Sequence, residues 1–421
     1  MLGRLKTDFV SSVLILVSGT VVAQLIAYAL SPIISRLYAP EEMSYLSLFS
    51  RIVGFLAVIS TARFELAFPL PKREEHAFSL YQVSLKITGI VFLIISCCVF
   101  FLSFHPWSDP NMLFILALVP FGTLFLALNN QGMTWAIRTK DFRSISVSKV
   151  FLTLFNSVTA IALALFSFGY KGLLVAYLMG IITSSIVFVK PFFKVNKQNK
   201  PFSWKGRKFA IAKQYAAFPK INLPHVLIDL GKELFIAFYL LYTFESDILG
   251  LYDFSYRMLR LPISLIGVSI SQVFFNKAAG MVNEGVPIFP LVKKTILILF
   301  AISIVPFTLL FFTGSDLFAF VFGEPWREAG HFSESMAPWL MMNFLVSPIS
   351  QIPLILKKQR AFFILSLFGT AIMVFTLLIG EIFPAWNLTF PEILKVVSIG
   401  QFFFFAYVLG WTIWLTKKFD V

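Results

Sequence analysis

The sequence predicts an all-α, polytopic membrane protein with twelve transmembrane helices, and three observations predict it. First, 58% of the residues are hydrophobic and only 13% are charged, with 51 Phe; ordinary globular chains carry about 25% charged residues, so the main solvent here is the bilayer. Second, apolar runs long enough to cross hydrocarbon recur near 9–36, 42–68, 76–104, 112–136, 142–168, 171–192, 213–242, 247–276, 288–313, 332–356, 361–383 and 392–416. Third, Lys and Arg alternate in the connections between these runs, as the positive-inside rule requires.

On one side of the membrane the connections carry Arg4 and Lys6; Lys72 and Arg73; Arg138, Lys140 and Arg143; the run from Lys190 to Lys213; Lys277, Lys293 and Lys294; Lys357, Lys358 and Arg360; and Lys417 with Lys418. The other side has Arg36, Lys171, Arg327 and Lys395. A span count wrong by one would scramble this alternation. Both termini are therefore expected in the cytoplasm. The first apolar run runs from Phe9 towards Ile34 without a small-residue cleavage site, so it reads as a span and not a signal peptide.

The long basic connection divides the chain into an N-terminal six-helix lobe over 1–195, a cytoplasmic linker over 196–212 and a C-terminal six-helix lobe over 213–421. A net charge of +14 raises nucleic acid as a partner, but the basic residues follow the membrane alternation, and anchoring to anionic membrane lipids accounts for them at about 1 kcal/mol each. No nucleic-acid partner is expected. The cysteines Cys97 and Cys98 are adjacent in one span and are read as packing residues.

Catalytic signatures are absent: no phosphate-binding loop, no dinucleotide fingerprint, no His and Cys at metal spacing. The expectation is a protein that is not an enzyme, with no cofactor and no metal. The informative stretch is 216–275, read as two antiparallel membrane helices joined by an acidic turn at Thr243–Ser246. Asp229, Lys232 and Glu233 stand midway along the first, Arg257 and Arg260 midway along the second. Counting outward from Glu245 at roughly 1.5 Å per residue, Glu233 lies as deep as Arg257, and Asp229 about as deep as Arg260. A charge at that depth costs about 2.5–3.5 kcal/mol and so marks a wet pathway. His225 joins Asp229 and Lys232 as an i, i+4, i+7 stripe.

Several segments resemble bacterial polysaccharide flippases of the multidrug, oligosaccharidyl-lipid and polysaccharide exporter superfamily, of the O-antigen type used in lipopolysaccharide assembly. They are PIISRLYAPEEMSYLSLFSRIVGFLAVISTARFELAFPLPK over 32–72, FPKINLP over 218–224, GLYDFSYRMLRLPISLIGVSISQVFF over 250–275, VFGEPWREAG over 321–330 and SPIS over 347–350. The resemblance implies two six-helix lobes around a central cavity that opens alternately to each side, and an isoprenoid-diphosphate-linked oligosaccharide as substrate. Arg63, Glu65, Gly250, Tyr252, Arg257, Pro262 and Gln272 match its pattern; Ser44, Arg51, Asp229, Lys232, Glu233 and Arg260 depart from it.

Chemistry of the residues agrees. A diphosphate needs cationic donors, which the arginine fork supplies in pairs, and sugar hydroxyls need neutral polar groups and aromatic faces. The expected cavity residues are Arg51, Arg63, Lys232, Arg257 and Arg260 with Gln24, Tyr252, Tyr256, Asn343 and Gln351. Asp229, Glu233 and His225 are the candidates for coupling to a proton or sodium counter-ion, the two carboxylates by exchanging partners with Arg257 and Arg260. Polysaccharide assembly proteins are candidate partners. A multidrug or cation antiporter of the same superfamily is the near alternative, disfavoured by mid-span arginines. A membrane polymerase or ligase is the alternative from another class, disfavoured by the short outer loop at Thr313–His331.

Overall fold

The computed structural model describes residues 2–104, 110–189, 205–262 and 267–420, without the side chains of 2–17, 205–209, 261, 262, 268, 269, 272 and 276. The first part of the basic connection, 190–204, and the side chains of Pro262 and Gln272 therefore lie outside the described residues. Among the described residues the regular structure is helical: α1 (Leu2–Leu37), α2 (Pro40–Thr61), α3 (Glu74–Leu102), α4 (Pro110–Arg138), α5 (Phe142–Leu165), α6 (Gly169–Ile186), α7 (Lys205–Gln214), α8 (Leu223–Thr243), α9 (Ile248–Pro262), α10 (Val268–Asn283), α11 (Phe289–Phe322), α12 (Arg327–Val346), α13 (Gln359–Leu377) and α14 (Phe390–Phe419), with short turns between some of them. Nine of these helices are long and apolar enough to cross a membrane. The protein is a multi-pass, all-α membrane protein.

Local chemistry sets the helix starts. Pro40 opens α2, where a fixed φ and a missing N–H are no handicap, and the Glu42 carboxylate accepts the Ala39 N–H at 2.8 Å. Asp141 caps α5 by accepting from Ser144 N and Oγ at 3.1 and 2.6 Å. Both the N–H and the hydroxyl of Thr389 donate to Glu392 at the head of α14.

Several expected spans are corrected. The span 42–68 stops at Thr61, because Ala62 and Arg63 take left-handed φ of 48° and 59° and a 3-10 turn follows over Phe64–Ala67. The span 213–242 is broken: α7 ends at Gln214, a π turn covers Phe218–Asn222 around Pro219, and α8 begins at Leu223. The span 288–313 continues to Phe322 through a kink at Thr313, and α12 starts at Arg327, so most of the expected outer loop is helix. The span 332–356 ends as an α-helix at Val346; Pro348 and Pro353 turn the rest into a 3-10 turn and a single helical turn.

Two compact units divide the chain, Met1–Gly250 and Leu251–Val421. In the first, α1 packs on α5, α5 on α6, α4 on α3 and α6, and α2 on α4 and α8. Its core holds the aromatic cluster Phe64, Phe68, Phe78, Tyr81 and Trp135, and a second cluster of Phe49, Val53, Ile115, Val119 and Leu174. In the second unit α12 packs on α11 and α14, and α13 packs on α14. The C-terminal end is fastened there: Asp420 accepts the Ile288 and Phe289 N–H groups at the start of α11, each at 2.7 Å.

Candidate functional site

In the first unit the site is built on α8 and its neighbour α2. Glu233, half-buried midway along α8, lies 3.7 Å from the Arg51 guanidinium of α2 and 4.0 Å from Lys232 Nζ. Depth counting matched Glu233 to Arg257; the ion pair found is with Arg51. Counting residues from a turn fixes height along a helix but not which other helix lies alongside, and α2 runs against α8. Asp229 and His225, one and two turns earlier, are exposed. Arg63, expected in the cavity, braces the head of α8: its Nε donates to Asn222 Oδ1 at 2.9 Å, and Nη1 lies 3.4 Å from Glu65, a carboxylate only 3% exposed.

Helix α9 begins in a tight crossing. The Gly250 N–H donates to Ser44 Oγ at 2.7 Å, and a Cβ on Gly250 would lie 2.0 Å from the Pro40 carbonyl oxygen. Only glycine lets the two backbones approach that closely. Ser44 thus has a function of its own as the acceptor at this crossing.

Beyond Gly250, in the second unit, α9 is two-faced. Tyr252, Phe254, Ser255 and Leu259 are buried, while Asp253, Arg257 and Arg260 line an i, i+4, i+7 stripe on which both arginines are exposed. Ser255 Oγ donates to the Ala329 carbonyl at 2.5 Å and fixes the helix against α12. The two guanidinium groups lie over rings: Arg257 is 5.5 Å from the Phe254 centroid and Arg260 5.2 Å from that of Tyr256, a cation–π arrangement. Tyr256 is itself one rung of a ladder. Tyr252 stacks on Tyr256 at 5.9 Å, Tyr256 on Trp339 at 6.0 Å, and Trp339 on Phe405 at 6.3 Å, all within 21° of parallel. The Trp339 Nε1–H is buried without a hydrogen-bond partner. Asn343, one turn further along α12, and Gln351 are half-buried.

Sequence reasoning missed Trp339 and Phe405, which inside apolar runs look like packing residues. It also missed Lys149, whose Nζ donates to Thr20 Oγ1 at 2.9 Å between α5 and α1. Lys149 follows Arg138, Lys140 and Arg143 closely enough to read as part of the basic surface. On the same face of α1 the Gln24 Oε1 is buried without a partner, and Gly19 lets Ser146 of α5 come into contact. Among the described residues no three His, Cys, Asp or Glu side chains gather as a metal site.

A family model described as polysaccharide biosynthesis protein matches residues 33–331, from the end of α1 into α12. The chain belongs to this polysaccharide biosynthesis family. No curated protein sequence matches it. Solved structures match throughout its length: an inward-facing multidrug resistance MATE family transporter of the MOP superfamily, with 15% identity, 95% of this chain and 99% of that chain covered and a TM-score of 0.70; the lipid II flippase MurJ in an inward closed conformation, with 13% identity, 95% and 89% covered and a TM-score of 0.65; and a MOP superfamily transporter from Pyrococcus furiosus described by the reversed polarity of its binding pocket, with 13% identity, 97% and 96% covered and a TM-score of 0.60. This member of the polysaccharide biosynthesis family thus has the fold of the MOP superfamily transporters.

Proposed function

We propose that the protein is a flippase that moves an isoprenoid-diphosphate-linked oligosaccharide from the cytoplasmic to the periplasmic leaflet of the bacterial inner membrane by alternating access, for assembly of a surface polysaccharide. The observation that carries the reading is the face of α9, where Arg257 and Arg260 stand exposed beside a ladder of stacked rings. Arginine forks fit the oxygens of a diphosphate, and the phenol of the half-buried Tyr256 fits sugar hydroxyls. Family membership in polysaccharide biosynthesis supports the same substrate class. The reading includes twelve spans in two six-helix lobes with both termini in the cytoplasm, and the isoprenoid tail staying in the bilayer.

The second reading, a multidrug or cation antiporter, is favoured by the exposed Asp229 on α8. It fares less well against three arginines in these helices, which repel an organic cation. Within the flippase reading Glu233 and Asp229 serve coupling: a diphosphate that draws Arg51 away from Glu233 leaves a carboxylate that takes up a proton or attracts sodium.

Flipping of a lipid-linked oligosaccharide by the purified protein in proteoliposomes tests the proposal. Arg257→Ala should abolish flipping with membrane abundance unchanged, and Arg257→Lys should restore only part of it, since the paired geometry is lost. Full activity in a stably inserted Arg257→Ala variant would remove the assigned role. Export of an organic cation in place of the oligosaccharide would select the antiporter.

A further inference from the structure

Away from the arginine face, the second unit holds a cavity of 740 Å³ whose lining changes character along its length. On α12 it is lined by Glu328, His331 and Glu334 and then, a turn deeper, by Pro338; on α14 the sequence is Lys395 and Ser398, then Ile399, Phe402 and Phe403. The charged groups stand near the starts of α12 and α14, at the end of the helices opposite Lys417 and Lys418. Glu334 is held in place, accepting the Ser315 N–H at 2.7 Å and lying 3.1 Å from His331 Nδ1. Phe403 belongs as well to a second cavity of 740 Å³ between α13 and α14, lined by Phe368, Phe404, Tyr407 and Trp411. The charged cavity and the apolar groove therefore adjoin at Phe403.

We propose that this cavity binds a phosphatidylethanolamine molecule by its headgroup. Its ammonium meets the carboxylates of Glu328 and Glu334, its phosphate meets Lys395, and an acyl chain lies over Phe402 and Phe403 into the second groove. Charge selects the headgroup. Two carboxylates face one lysine and one imidazole in the lining, and the paired carboxylates favour a lipid presenting a cation to them. A primary ammonium also brings three N–H donors for carboxylate oxygens, which the methylated amine of phosphatidylcholine lacks. The paired carboxylates equally disfavour the diphosphate of the proposed transport substrate, so the site is a separate one. By the basic-residue alternation the head end faces the periplasm, which makes the ligand a lipid of the outer leaflet.

Native mass spectrometry of the full-length protein, equilibrated with phosphatidylethanolamine, phosphatidylcholine or phosphatidylglycerol of identical acyl chains, tests this. The wild type should retain phosphatidylethanolamine preferentially, and Glu328→Gln and Lys395→Gln should each weaken that retention about fivefold with unchanged melting temperature. Glu328→Gln is the primary variant because Glu334 also holds Ser315. Equal retention of all three lipids, or retention indifferent to both substitutions, would mean ordinary annular lipid and overturn the site. Preference for phosphatidylglycerol lost in Lys395→Gln would overturn it in favour of an anionic ligand. The readout is lipid retention and not transport, so it stands or falls apart from the flippase reading.

Discussion

Helices α8 and α9 both carry charge into apolar surroundings, and they satisfy it differently. On α8 the charge is matched by charge: Glu233 lies between Arg51 and Lys232. On α9 the arginines lie over aromatic faces. The difference separates two kinds of work. A guanidinium in an ion pair has its charge neutralised and its N–H groups directed at a carboxylate, so anything that binds it must displace that partner. A guanidinium beside an aromatic ring gains cation–π stabilisation that leaves its positive charge in place. Under the proposed function, the arginines of α9 bind the diphosphate and the ion pair of α8 responds to it.

The comparison breaks most severely at Gly250, where one region passes into the other. Gly250→Val should cost about 3 kcal/mol or more, since overpacking of backbone against backbone has little room to relax, and the variant should fail to accumulate in membranes. Wild-type yield and melting temperature would show that the crossing with Pro40 is looser than described. Next in size is Tyr256→Leu, which removes the ring beneath Arg260 and two stacking contacts at once. It should lower stability by about 1–3 kcal/mol and raise the KM for flipping, whereas Tyr256→Phe should keep stability near wild type. A Leu variant with unchanged KM would detach the ladder from substrate binding.

A smaller effect is expected at the ion pair. A double-mutant cycle of Arg51→Ala and Glu233→Gln should give a coupling of about 1 kcal/mol, because both side chains are partly exposed. Glu233→Gln should in addition weaken the dependence of flipping on a proton or sodium gradient. Unchanged gradient dependence together with normal coupling energy would make the pair purely structural.

The smallest effect lies outside the membrane helices. Glu324 accepts from Arg327 Nε at 2.6 Å, and that hydrogen bond holds its carboxyl below the usual value. A depressed folded value means stability that is present above the ordinary carboxylate pKa of about 4.3 and lost as pH falls through the folded one. Glu324→Gln should therefore melt slightly below wild type at neutral pH and converge with it in acid. The gap should also shrink with salt, since Glu324 and Arg327 are exposed.

How much was legible can be traced through particular residues. The helical class and the nine helices long and apolar enough to cross a membrane follow from hydropathy, which is a property of each segment taken alone. Asp229, Lys232 and Glu233 put three charges into one span length, and α8 falls outside those nine although the rest of it is apolar. Helix ends went astray where one backbone conformation decides them, as with the left-handed Ala62 and Arg63 and the kink at Thr313. The i, i+4, i+7 stripe of Asp253, Arg257 and Arg260 could be read from spacing. The ring beneath Arg260 lies one turn earlier on the same helix, and Trp339 comes from another helix altogether.

By itself the sequence determined that the chain is helical, which of its segments are apolar and, through its motifs, the family. Those are functions of order along one chain and of the solvent each segment prefers. Only the tertiary structure decided the partners: Glu233 with Arg51, Gly250 N–H with Ser44, Trp339 between Tyr256 and Phe405, Lys149 with Thr20. The reason is that helix propensity and hydrophobic burial act without regard to which neighbour supplies the contact. Hydrogen bonds, ion pairs and ring stacking hold only over a few ångströms and in set directions, so packing alone brings those groups within reach.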